Sequence, residues 1–311
     1  MSKESKPIIK FLIKILISSV LIYLLFLKID VKGLINNIEL LNWVYAPVII
    51  TLIVLNYIIS SIRWKYLLIH KNNEKVSLTY LVSLYFTGSF FNNFMPTSIG
   101  GDVYKIYKLG KKIGSNSDAF TATFMERFTG LISLVFISMV GFIGVIIRYN
   151  SSVGNDVYKI VVVSFIFLLV FVFSMFVFLK VLNVFRFKFK KILQIYDSLL
   201  FYKDRWDVLG VAFISSFIVQ FLAIFSQYFI FVALGESLDI YRTMFIFPVI
   251  TLATFFIPSL NGIGVQDFLY KFSNTFLFIS EPVAVAGSIL YHLFRLFVSL
   301  IGGILYAFNK D

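Results

Sequence analysis

Six largely apolar segments recur along this chain, at Ile8–Leu27, Val44–Ile62, Asp118–Ile147, Tyr158–Leu182, Val208–Leu234 and Pro282–Phe308. At 1.5 Å of rise per residue, each is long enough as a helix to cross a hydrocarbon core of about 30 Å. Their apolar residues run continuously and lack the period-two alternation that a transmembrane barrel strand requires. The expected architecture is therefore all-α, a polytopic bundle. Composition agrees, because 59% hydrophobic and 14% charged residues over 311 positions leave too little polar surface for a soluble globule. No cysteine is present, which excludes disulfides, thiolate metal sites and cysteine nucleophiles.

The formal net charge is +12, and its distribution orients the chain. With the N-terminus in the cytoplasm, 20 of the 28 lysines and arginines fall inside, Arg63, Lys65 and Lys105 among them. Lys28, Lys32, Arg148, Lys159, Arg242 and Lys271 fall outside, and Arg127 and Arg295 fall within spans. This bias follows the positive-inside rule and places both termini at the cytoplasmic face of the cell membrane. The basic loops read as topology signals that touch anionic lipid, so no nucleic-acid partner is expected. Lys3, Lys6, Lys10 and Lys14 precede an apolar run that no cleavage site follows, which reads as a retained first helix. The segment Asn183–Trp206 reads as a basic, amphipathic cytoplasmic helix.

Two further hydrophobic segments break at a proline and restart as a glycine-rich polar turn, at Pro96–Asp102 and Pro258–Asp267. Basic loops flank Leu78–Met95 on both sides, so both ends belong in the cytoplasm. The chain is therefore expected to enter, turn at Pro96–Gly101 and return through Asp102–Lys112. Counting spans onward, Thr243–Ile257 enters from the outside, turns at Pro258–Gly264 and returns through Val265–Phe278. The expected fold has six full spans and two re-entrant hairpins of opposite orientation. Residues 44–147 and 208–308 then form two halves of an inverted-topology repeat, a plan that places a transporter's site at the broken helices.

The breaks carry the candidate binding residues. Thr97, Ser98, Ser259 and Asn261 are natural helix N-caps, while Gly100, Gly101, Gly262 and Gly264 would admit a ligand close to the backbone. Half-helices starting there would aim free N–H groups and a positive dipole end at an anion such as phosphate. Glu126 and Arg127 lie inside a span, where a charge costs about 2.5–3.5 kcal/mol, so both require partners. Asp102 and Asp267 are the expected partners of Arg127 and Arg295 respectively. These pairs either pin hairpin to span or hold arginines that offer bidentate donors to a phosphate.

Other residues carry weaker signals. His292 lies three residues before Arg295 and could face the same cavity. Asn92 and Asn93 are expected to satisfy turn backbone, with Asn93 also able to reach substrate. Arg63–Tyr66 reads as an interfacial anchor, and Gln220 and Gln227 as cavity-lining or interhelical groups. The standard hydrolase, phosphate-loop and dinucleotide motifs are missing, and two histidines leave few metal ligands. No cofactor, metal or catalytic residue is expected.

The run Phe90–Asp102, with Glu126-Arg127 some 25 residues later and Pro258–Gly264 in the second half, resembles the lysylphosphatidylglycerol synthase transmembrane-region, or flippase-like, family over nearly the whole chain. The resemblance implies a lipid-handling membrane protein. In the bifunctional bacterial members this region translocates an aminoacylated phospholipid, and archaeal relatives are tied to polyprenyl-linked sugars. The sequence departs from the bifunctional members in lacking a soluble synthase or glycosyltransferase domain, so a non-enzymatic lipid flippase is expected. Its partner would be a membrane lipid with a phosphate head group, alone or beside a separate lipid-modifying enzyme. The alternatives are an intramembrane transferase or hydrolase using Asp102 or Glu126 as base, and a non-transporting subunit of such an enzyme.

Overall fold

The structure, a computed structural model, describes residues 41–68, 76–94, 100–149, 190–256 and 261–308, with isolated positions at 39, 166, 177, 180, 181 and 184. Nine α-helices are delimited among the described residues, and no strand. They are α1 (Ala46–Leu67), α2 (Leu78–Asn92), α3 (Gly100–Ile113), α4 (Asn116–Tyr149), α5 (Lys190–Leu200), α6 (Trp206–Ala233), α7 (Ile240–Phe256), α8 (Val265–Leu277) and α9 (Glu281–Phe308).

Local chemistry starts these helices. A proline in the first turn of α1, where no amide donor is needed, suits the helical φ. Ser77 caps α2 by accepting from Tyr80 N at 3.3 Å, and Ser115 accepts from Asp118 N at 3.2 Å at the head of α4. Asp239 Oδ1 accepts from Arg242 N at 3.0 Å as α7 begins. Gly264, in the left-handed region at φ 85°, leads into α8, whose Asp267 Oδ2 accepts from Gly264 N at 2.9 Å.

Four helices are long and apolar enough to cross a membrane: α1 together with its preceding turn, α4, α6 and α9. They coincide with four expected spans to within a few residues. The expected spans Ile8–Leu27 and Tyr158–Leu182 lie outside the described residues, isolated helical positions aside. The other helices are shorter. With 15, 14, 17 and 13 residues, α2, α3, α7 and α8 extend about 20–26 Å, less than the hydrocarbon thickness.

Packing repeats between the two parts of the chain. Helix α1 packs against α6, α2 against α9, and α4 against α7, while α2 lies on α3 and α7 on α8. The α2–α9 and α4–α7 crossings use the same device. A Cβ on Gly302 would fall 2.0 Å from Phe86 O, and one on Gly141 would fall 2.5 Å from Phe245 N. Beside each glycine a hydroxyl bridges the pair, Thr87 Oγ1 to Gly302 O at 3.4 Å and Ser138 Oγ to Phe245 O at 3.2 Å. Small residues that let backbones meet are the usual route to helix association in lipid, which offers no hydrophobic drive. Helix α5 lies outside this arrangement, resting on α4, with Leu199 and the following Tyr202 in a core shared with Trp64, Leu81 and Leu109.

Candidate functional site

Seven of the nine helices, all but α5 and α8, line a cavity of about 260 Å³. Its wall is polar at the centre of an otherwise apolar bundle: Asn56, Tyr57, Ser60 and Arg63 from α1, Ser89 and Asn92 from α2, Asp102 and Lys105 from α3, Glu126 and Arg127 from α4, Gln220 from α6, and Tyr291 and Arg295 from α9. Both span arginines therefore line one space.

A chain of five charges runs along one side. Arg127 donates to Asp102 Oδ2 from Nε at 2.7 Å and from Nη2 at 2.6 Å. Lys105 Nζ lies 3.0 Å from Asp102 Oδ1 and 3.6 Å from Glu126 Oε2, so it joins the two carboxylates. Arg63 Nη2 donates to Glu126 Oε1 at 2.8 Å, and its Nη1 to Ser216 Oγ at 2.8 Å. Asp102, Lys105, Glu126 and Arg63 are each buried, whereas the Arg127 side chain is 38% exposed. Lys105 also stands 3.8 Å over the Tyr85 ring and 4.9 Å from that of Trp64, faces that favour a cation. One end of the network is thus locked and the other is open.

The second half answers with amides. Arg295 Nη2 donates to Asn261 Oδ1 at 2.8 Å, and its guanidinium lies 5.3 Å from the Tyr291 ring. Asn261 Nδ2 donates to Asn93 Oδ1 at 2.6 Å, and Asn93 Nδ2 donates to Ser299 Oγ at 2.8 Å. Asn93 and Asn261 are both buried. The end of α2 and the turn before α8 therefore meet inside the bundle through one pair of side-chain amides.

Several expectations are corrected. Asp267 does not pair with Arg295: its Oδ1 accepts from Ser288 Oγ at 2.6 Å and lies 3.4 Å from His292 Nε2. His292 sits beside Asp267 and Gly262 and is absent from the cavity wall. Asn261 is not the α8 cap. It lies in the left-handed region at φ 49°, and its side chain goes to Arg295 and Asn93 instead. Gly101 does not open the backbone to a ligand, because a Cβ there would fall 1.9 Å from Gly88 O; the glycine lets α3 rest on α2. A Cβ on Gly262 would meet Thr254 at 2.7 Å, whereas nothing stands within 4 Å of one on Gly264. Gly100 opens α3 at partial exposure. Thr97, Ser98 and Ser259 lie outside the described residues.

Arg63 and Trp64 are no interfacial anchor. Both are buried, and Trp64 Nε1 donates to Thr123 Oγ1 at 3.1 Å. Lys105, counted on the inside, and Arg242, counted on the outside, are buried as well, Arg242 against the rings of Tyr149, Phe276 and Phe278. Asn92 does serve turn backbone, its Oδ1 accepting from Gly101 N at 2.7 Å. The two glutamines part ways: Gln220 lines the cavity and donates to Gly130 O at 3.1 Å, while Gln227 bonds to Tyr270 away from it. Arg63 and Lys105 were thus missed as cavity residues. The spacing of Lys105, three residues after Asp102 on one helix face, is the signal that points to it.

A UPF0104 membrane protein, MJ1078, of Methanocaldococcus jannaschii is 26% identical over 222 residues, 70% of this chain and 93% of the relative. No solved structure matches. The sequence profile described as the lysylphosphatidylglycerol synthase TM region matches residues 11–303. The chain belongs to the lysylphosphatidylglycerol synthase transmembrane-region family.

Proposed function

We propose that the protein is a lipid flippase that carries a phosphate-bearing head group across the membrane through the central cavity. The observation that carries this reading is the convergence of Arg127 and Arg295, from two different parts of the chain, on one polar space within an apolar bundle. The substrates that family membership suggests are an aminoacylated phospholipid and a polyprenyl-phosphate-linked sugar. At about 260 Å³ the cavity has room for a head group but lies below the volumes typical of pockets that enclose whole ligands, so the acyl chains would remain in the bilayer.

In this reading α2–α3 and α7–α8 are re-entrant hairpins entering from opposite faces. Their lengths fall short of the bilayer, and the matched packing of α1 on α6, α2 on α9 and α4 on α7 fits two inverted halves, 44–147 and 208–308. With six spans, both termini and α5 stand in the cytoplasm. The hairpin tips, held together by Asn93 and Asn261, would lie near the midplane, where irregular backbone survives only beside protein or a polar cavity. Arg127, half open and shared with Asp102, is free to exchange the carboxylate for a phosphate, and Lys105 keeps Asp102 paired when it does.

Proteoliposomes carrying head-group-labelled lipids test the proposal. Protein-dependent loss of label protection is expected, and transport at the protein-free rate for every phosphate lipid would refute it.

A further inference from the structure

The charges lining the cavity do not balance. Arg63, Lys105, Arg127 and Arg295 face it against Asp102 and Glu126, so among the described residues four cations meet two carboxylates and an excess of two remains. The two stretches at the breaks that lie outside the described residues, 95–99 and 257–260, contain no ionisable side chain. A proton moved between Lys105 and Glu126 leaves the balance unchanged. The excess also has an address. Among the described residues Arg295 is held by the amide of Asn261 and by no carboxylate, and Arg63 Nε is buried without a hydrogen-bond partner. Arg127 turns two of its five donors, on Nε and Nη2, to a single oxygen of Asp102, whose other oxygen Lys105 holds.

From this balance we infer that the cavity is matched to a head group of two negative charges, a lipid phosphate monoester. The inference rests on the flippase reading and puts a phosphate monoester in place of the two phosphodiester head groups that family membership suggests. A phosphate monoester has a second pKa of about 6 and is close to doubly charged at neutral pH. A phosphodiester carries one charge, and an aminoacyl ester on it adds at least one ammonium, which would deepen the positive excess. In a low-dielectric space neutrality is strongly favoured, since charge interactions there far exceed those in water. Docked between Arg127 and Arg295, a monoester leaves Asp102 to Lys105 and Glu126 to Arg63, and every cation has a partner. The same three terminal oxygens provide bidentate acceptors for both guanidinium groups.

The test uses the purified full chain in nanodiscs. Phosphatidic acid, as the monoester, competes with phosphatidylglycerol, as the phosphodiester, with inorganic phosphate as a third arm, and bound lipid is read by native mass spectrometry. Phosphatidic acid is expected to bind at least tenfold more tightly than phosphatidylglycerol. Arg295→Gln should reduce that preference to under threefold, while Arg295→Lys, which keeps the charge, should retain it; the second variant separates charge loss from misfolding. Equal binding of the two lipids, lost in Arg127→Ala, overturns the charge matching and leaves the flippase reading standing. Inorganic phosphate that competes as well as phosphatidic acid overturns the lipid assignment. Absence of binding by any phosphate lipid, with no transport in proteoliposomes, removes the flippase reading itself.

Discussion

Asn261 donates from Nδ2 to Asn93 Oδ1 at 2.6 Å, across 168 residues of sequence, and so ties the second broken turn to the end of the helix that precedes the first. Asn261 Oδ1 accepts from Arg295 at the same time, which couples the contact to a cavity cation. Truncation to Asn261→Ala removes both bonds and leaves the buried Asn93 carbonyl oxygen unsatisfied, at a cost of about 1–3 kcal/mol. Asn261→Asp instead gives Arg295 a carboxylate of its own. Like the alanine variant it loses the donor to Asn93 Oδ1, but the folded Asn261→Asp protein should transport an anionic lipid at least tenfold more slowly than wild type; a folded, fully active Asn261→Asp variant would show that Arg295 does not need to be free of a carboxylate.

The buried pair of Arg63 and Glu126 sets a second expectation. Removing one partner leaves an uncompensated buried charge, which costs about 3–5 kcal/mol, whereas replacing both can be nearly neutral. Glu126→Gln, which leaves Arg63 with Ser216 alone, should lower stability by about that amount, and Arg63→Met by less, because Lys105 still stands 3.6 Å from Glu126. The double variant should recover most of the loss, a non-additivity readable from thermal unfolding of the four proteins.

Gly101 supplies a purely steric prediction. With Gly88 O only 1.9 Å from where a Cβ would stand, Gly101→Ala must push α3 off α2. Overpacking of this kind costs about 1–3 kcal/mol. Gly264→Ala meets no neighbour within 4 Å, and its cost comes from φ 85° alone. Thermal shifts that rank Gly264→Ala below Gly101→Ala in damage would agree with a packing role for Gly101.

The cysteine-free sequence permits a direct test of topology. Single cysteines at Asn73 and Lys111 flank the first hairpin, and at Ser237 and Ser280 the second. An impermeant maleimide should label the first two from the cytoplasmic side only and the last two from the opposite side only. Labelling of Asn73→Cys and Lys111→Cys from different sides would turn the first hairpin into a complete crossing and dissolve the inverted repeat.

Much of the frame is legible in the amino-acid sequence. The spans α1, α4, α6 and α9 follow from long apolar runs, because hydropathy over some twenty residues is a property of the chain itself. The Arg127–Asp102 pair was legible for a related reason: a charge inside an apolar run demands a counter-charge, and Asp102 is the acid beside the break. Arg295 escaped the same logic. Its partner is a neutral amide, which a search for opposite charges passes over, while Asp267 turned to Ser288, His292 and the Gly264 amide. Arg63 and Lys105 sit next to basic loops, and proximity along the chain assigned them to the surface. Their burial depends on how α1 and α3 pack against α4 and α6, and tertiary packing of this kind leaves little local trace. The role of Gly101 was hidden similarly, since the sequence says that a close approach is possible without saying what approaches.

The most direct measurement is the flipping rate of a head-group-labelled phosphate monoester lipid in proteoliposomes, comparing wild type with an Arg127→Ala/Arg295→Ala double variant reconstituted at equal amount. Wild type is expected to exceed the double variant at least tenfold, with the variant near the protein-free rate. Equal rates in the two, both above the protein-free rate, would contradict a transport path through the arginine-lined cavity.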